Sequence, residues 1–199
     1  DNQGFLMNRQ KDTNALNLRG GDDNEHTEGD YVSVENFMSF AEDGFTLSFW
    51  VKYTDLSGRG ISGMNDGSDH RMYIGQAAAG GDEFLFAAGD GYVTGTTNQI
   101  KLNQWHHVLS TYDGDSTLKC YVDGVYDKTK TDITFSGVST TKFTIGGFGD
   151  GSQYAMKGFV DDVLVYTDVK TDGSVSLTAT AKGEVARIYN AGKRSHRNG

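Results

Sequence analysis

A chain of 199 residues with 36% hydrophobic content, 11 Phe, 10 Tyr and 2 Trp has the apolar material for a core of its own, which excludes global disorder. Its net charge of −9 argues against a nucleic-acid partner, because an acidic surface repels phosphate backbones; the same charge serves solubility or cation binding. The single cysteine excludes an internal disulfide, and no apolar run reaches the length of a membrane span.

The 27 glycines come without proline and without a period, as many tight turns require. Asp1 opens the chain without a methionine, as expected of a processed or excised piece. Residues 1–13 read as a polar arm with one apolar cluster, Phe5-Leu6-Met7, and residues 14–192 as one domain. Strands are expected at 15–18 and 31–34, around an acidic loop at 20–29. Residues 45–51 (FTLSFWV) alternate strictly. Phe45, Leu47, Phe49 and Val51 share one face, while Trp50 faces the other way, on an exposed sheet face or under a loop. Further strands are expected at 71–74, 84–87 and 99–102, with turns at Asn65-Asp66-Gly67 and Gly89-Asp90-Gly91.

Residues 105–112 and 117–122 form two more strands joined by Asp113-Gly114-Asp115. Leu118, Cys120 and Val122 share a face, which makes Cys120 a buried structural thiol. Asp123-Gly124 suits a type I′ hairpin turn, whose central residues both need positive φ. His106 and His107 are adjacent on a strand, so they point to opposite faces and cannot chelate one metal together. Strands at 133–135, 142–145 and 159–166 follow, with a turn at Gly149-Asp150-Gly151. Glu184, Val185, Ile188 and Tyr189 have helical spacing; Ala191-Gly192 reads as the stop and 193–199 as a polar, basic tail. Many short strands with frequent turns argue for a single sandwich or barrel.

Eight motifs occur in order: Leu16-Asn17-Leu18-Arg19-Gly20, Asp30-Tyr31-Val32, Phe45 through Lys52, Trp105-His106-His107-Val108, Thr111-Tyr112-Asp113-Gly114, Tyr121-Val122-Asp123-Gly124, Gly158 through Val163, and Glu184-Val185 with Ile188-Tyr189-Asn190. Together they resemble the laminin-G-like, concanavalin A-like jelly-roll domains, over nearly the whole chain. The resemblance implies an all-β fold: an antiparallel two-sheet jelly-roll β-sandwich, here with one short C-terminal helix. Members of this fold include both lectins and glucanases, so the fold leaves function open; this chain reads as a binding module without catalysis, recognising carbohydrate on a cell or virus surface with the help of calcium. The alternative is a structural or assembly domain of a virion or surface appendage, such as a phage tail or capsid-associated protein, making protein contacts. The closing Tyr189-Asn190-Ala191-Gly192-Lys193 resembles phage-type members. An extracellular, cell-surface or virion-surface location is expected, without membrane insertion, and with a glycan or surface protein as partner. Appendage proteins are commonly symmetric oligomers, so an oligomer is compatible with this reading.

Family members often join the first loop to the penultimate strand through a cation. The matching positions are Asp30 and Asp161, with Gly20, Gly21, Asp22 and Asp23 offering loop oxygens to a structural calcium, which takes six to eight of them. A sugar site needs a flat ring to stack on and polar groups for hydroxyls. Asp66, Asp69, His70, Tyr73, Tyr92, Asp150 and Tyr154 are the candidates, although Asp-Gly pairs also simply make turns. Trp105 is expected to pack rather than to serve as a platform. Glucanases of this fold carry Glu-x-Asp-x-Glu on one strand, and no strand here has it; Glu25, Glu28 and Asp30 fall in a Gly-rich loop.

Overall fold

The computed structural model describes residues 15–20, 29–35, 37, 44–60, 62–65, 71–135, 142–147, 154–167, 169 and 183–196. These form β1 (Leu16–Arg19), β2 (Val32–Val34), β3 (Phe45–Tyr53), β4 (Ser62–Asn65), β5 (Arg71–Gln76), β6 (Phe84–Ala88), β7 (Gly91–Thr94), β8 (His106–Tyr112), β9 (Leu118–Val122), β10 (Val125–Lys130), β11 (Phe143–Ile145), β12 (Lys157–Tyr166) and α1 (Gly183–His196). The first sheet runs β1-β12-β3-β8-β9-β10 and the second β2-β11-β4-β5-β6-β7. Each described pairing is antiparallel, as expected for a jelly-roll sandwich.

Side-chain alternation places the core between the sheets. Phe45, Leu47, Phe49, Val51 and Tyr53 on β3 join Val108 and Tyr112 on β8, and Leu118, Cys120 and Val122 on β9. From the second sheet Met64, Met72, Ile74, Phe84, Phe86, Phe143 and Ile145 complete the cluster. Each such side chain contributes about 1.5–3 kcal/mol when fully buried. Burial, with the nearby Asp127 charge, pushes the Cys120 thiol well up, in keeping with a structural role.

Both faces of β3 are buried, because α1 covers the outer face of the first sheet. Val185 packs with Leu109 and Tyr121, and the Tyr189 ring stacks on Trp50 at 5.7 Å and 17°. Trp50 therefore lies under a helix, neither exposed nor beneath a loop. The helix does not stop at Ala191-Gly192 but continues to His196. Gly192 is buried against the indole of Trp50, so it answers a close approach rather than a helix end.

Two expected strands are absent. Residues 99–102 are irregular, bracketed by left-handed Asn98 (φ 65) and Asn103 (φ 61); only Ile100 is buried there. Residues 133–135 are also irregular: Asp132 is left-handed (φ 59), and Ile133 and Thr134 bond to Ser116 and Asp90, not along a strand partner. The described turns hold as expected, while Asp66-Gly67 and Gly149-Asp150-Gly151 lie outside the described residues. Asp123 (φ 52) and Gly124 (φ 75) supply the two positive angles of the β9–β10 hairpin. Asp113 Oδ1 accepts from the amides of Asp115, Ser116 and Thr117. Burial pushes that carboxyl up, but these donors together outweigh it and hold Asp113 below the usual carboxylate range.

Candidate functional site

Three of the tyrosines named as sugar-binding candidates come together on the outer face of the second sheet. Tyr73 on β5 and Tyr92 on β7 both stand opposite Ala87 of β6, so they share one face with a small residue between them. Tyr73, Leu85 and Ala87 form a buried cluster separate from the main core, and Tyr154 packs against it. Tyr92 is 60% exposed and is the part of this face most open to solvent.

Two loops deliver the remaining groups. The segment after β3 is pinned where the Gly60 amide donates to the Tyr154 carbonyl (2.8 Å) and the Gln76 amide donates to the Arg59 carbonyl (2.7 Å). Arg59 NH2 donates to the Ala77 carbonyl (2.6 Å), and its guanidinium lies 4.8 Å from the Tyr154 ring centre. Such a cation over an aromatic face is worth roughly 0.5–1 kcal/mol or more. Tyr154 is held at φ 55, a left-handed conformation unusual for a bulky residue and frequent where a side chain is aimed for function. Arg71 stands two positions before Tyr73, on the same face, and donates to the Asp90 carbonyl (3.2 Å) at the tip of the β6–β7 hairpin. Burial pushes the Tyr73 phenol up, partly offset by the Arg71 and Arg59 charges; the Tyr92 and Tyr154 phenols add to the rise. The arrangement thus combines stacking surface, phenol hydroxyls and two cations. The arginines were missed in the sequence, although the alternation of Arg71 with Tyr73 places them on one face. Asp66, Asp69, His70 and Asp150 lie outside the described residues.

The calcium candidates do not converge among the described residues. Arg19 grips Asp30 at three points: Nε to Oδ2 (2.7 Å), NH2 to Oδ1 (3.0 Å) and the backbone amide to Oδ2 (3.2 Å). Those contacts hold the Asp30 carboxyl below its usual range. Arg19 pairs with Lys157 in the sheet, and Asp161 stands four residues further along β12, about 13 Å away at strand rise. Asp161 Oδ1 accepts from the Asp162 amide (2.8 Å) at a bulge where Asp162 has φ 49. Gly20 ends β1's return with φ +62 and packs against Lys157. Asp22 and Asp23 lie outside the described residues, and among the described ones no three His, Cys, Asp or Glu side chains group to hold a metal.

The histidines split as alternation requires. The Lys101 amide donates to His106 Nε2 (3.1 Å), so Nδ1 carries the proton and donates to Asp123 Oδ2 (2.9 Å). His107 lies on the opposite face under α1, its Nε2 2.8 Å from Ser48 Oγ. Trp105 is half-buried with Phe159, and Lys52 Nζ sits over both rings at 5.2 and 4.8 Å.

A family model described as the concanavalin A-like lectin/glucanases superfamily, of laminin G type, matches residues 26–176. The chain belongs to the concanavalin A-like lectin/glucanase superfamily. No curated protein matches this superfamily member in sequence. Among solved structures it is similar to a heptameric SAP-like pentraxin from Limulus polyphemus, with a TM-score of 0.58 and 15% identity over 80% of this chain and 73% of that one. It is also similar to domain 4 of an extracellular arabinanase from Geobacillus stearothermophilus, in complex with arabinotriose (TM-score 0.55, 17% identity, 88% and 75% covered). A third is the CBM40 of a Ruminococcus gnavus IT-sialidase bound to alpha2,3 sialyllactose (TM-score 0.53, 13% identity, 71% and 91% covered). At such identities the likeness to these lectin/glucanase-type structures is one of fold. No described helix is long and apolar enough to cross a membrane.

Proposed function

We propose that this chain is a non-catalytic binding module that recognises carbohydrate through the Tyr73–Tyr92–Tyr154 face, at a cell or virus surface. The observation that carries this reading is the convergence of three tyrosines, distant in sequence, around Ala87, with a guanidinium held on one of their rings. Aromatic rings offer sugars a flat apolar surface with a polar rim, and they lose little entropy when they bind. Two neighbours in fold are complexes with arabinotriose and with sialyllactose and another is a toxin binding domain in complex with rat synaptotagmin II, which supports a glycan or a protein as partner; the tyrosine face is what favours the glycan.

A glycan array on the native chain and on Tyr92→Ala tests this. Tyr92 is exposed, so its removal should leave the melting temperature nearly unchanged. Binding to the recognised glycan should fall about tenfold, the ~1.4 kcal/mol scale of one stacked ring. A chain that binds no glycan but binds a virion or surface protein specifically would instead be an assembly domain.

A further inference from the structure

Resting on the carbohydrate reading above, we infer that this face selects an acidic oligosaccharide, bearing carboxylate or sulfate groups, through Arg59 and Arg71.

The two cations bracket the tyrosine face. Arg71 is the first residue of β5, and Arg59 is tied to Ala77, just past the last. Six residues of extended strand separate these two anchor points, about 20 Å. Tyr73 lies between them. That span exceeds one sugar ring and suits a chain lying along the strand.

Among the described residues, neither guanidinium is paired with a carboxylate. Among the described residues, the ion pairs of this chain use Arg19, Lys142, Arg187 and His106. Arg59 and Arg71 instead donate to backbone carbonyls, which carry no formal charge. Arg59 Nε is buried without an acceptor among the described residues, so the side chain holds donor capacity that its fold leaves unused. In a chain of net charge −9, these are two arginines at the edges of an aromatic face without a carboxylate partner among the described residues. Cations so placed offer an anionic ligand partners that the acidic surface elsewhere lacks. Guanidinium matches carboxylate and sulfate oxygens in planar, two-point fashion, and these charge-assisted bonds are the stronger class.

The experiment is calorimetric titration with a matched series: one oligosaccharide backbone in neutral, uronate and sulfated forms. The native chain should bind the acidic forms about 10–100-fold more tightly than the neutral one, the range expected when a guanidinium meets an anionic acceptor in place of a neutral hydroxyl. The preference should weaken as salt rises. Arg71→Gln and Arg59→Gln should each remove most of the preference of acidic over neutral forms, read as the ratio of the two affinities in the same variant. Because Arg59 also fixes Ala77, Arg71→Gln is the cleaner variant, with its melting temperature recorded alongside. The uronate and sulfate arms identify which anion is taken. Equal binding of neutral and acidic forms overturns this inference but leaves the glycan reading standing. A preference for acid that survives both substitutions overturns the assignment to these arginines. Absence of binding to every member, and to every glycan on the array, overturns both readings.

Discussion

Ser110 shows how one hydroxyl can work against its own fold. It sits on β8 between Leu47 of β3 and Cys120 of β9, on the core side of the first sheet. It is fully buried, and its Oγ has no partner among the described residues. A buried hydroxyl without a partner bears its desolvation cost with nothing to offset it, about 1–3 kcal/mol. Ser110→Ala removes that hydroxyl and leaves the methylene in place, so the void left is small. We expect the variant to unfold at higher denaturant, by about 1 kcal/mol in stability, with an unchanged m-value. A less stable variant would mean that the hydroxyl is satisfied. Alternation in the sequence assigns Ser110 to the core row. It places Ser48 on the opposite, outer row, but cannot foresee that Ser48 Oγ pairs with His107 while Ser110 Oγ has no described partner, because partners are a property of the packed strands.

At the level of elements, local rules succeeded where they matched packing and failed where a distant contact overrode them. The strict alternation of β3, and the Asp-Gly turn after β9, were legible because pleat and turn are set within a few residues. The polar strand β10 and the glycine-containing β4 carry little apolar signal of their own and form by pairing with β9 and β5. Gly192 illustrates the override. A glycine after a periodic apolar stretch reads as a helix stop, yet α1 passes through it because the Trp50 indole fills the space a side chain would need. This leads to a prediction with opposing terms. In an exposed helix interior, glycine to alanine stabilises by about 1 kcal/mol. Here the added methyl falls on Trp50 Nε1, well inside contact distance, and overpacking of this kind costs about 1–3 kcal/mol. Gly192→Ala should therefore lower the melting temperature, and Trp50 should become more solvent-exposed by tryptophan fluorescence. A higher melting temperature would show that α1 does not rest on the indole.

For the whole molecule, the sandwich was readable from ordered motifs, while its binding face was readable only in part. Tyr73, Tyr92 and Tyr154 stand out as aromatics beside turns, but their meeting depends on strand order, and Arg59 reaches them from a loop pinned by backbone bonds. The same long-range geometry bears on calcium. Asp30 is engaged by Arg19, and Asp161 sits four strand residues from Arg19's partner Lys157. An ion on the first loop would then draw on Asp22, Asp23 and the Gly20 carbonyl in place of an Asp30–Asp161 bridge. A ligand of the native state stabilises the entire fold by linkage. At a concentration ~100 times its dissociation constant this is about 2.7 kcal/mol, which is roughly 5–11 °C in a domain of this size. If the loop takes calcium in this way, the melting temperature should rise with calcium and return with chelator. Asp30→Asn should leave the rise intact, and Asp22→Asn with Asp23→Asn should remove it. A rise lost in Asp30→Asn alone would mean that calcium displaces Arg19 and recruits its partner. A melt that ignores saturating calcium would leave the Arg19–Asp30 pair as the whole function of Asp30.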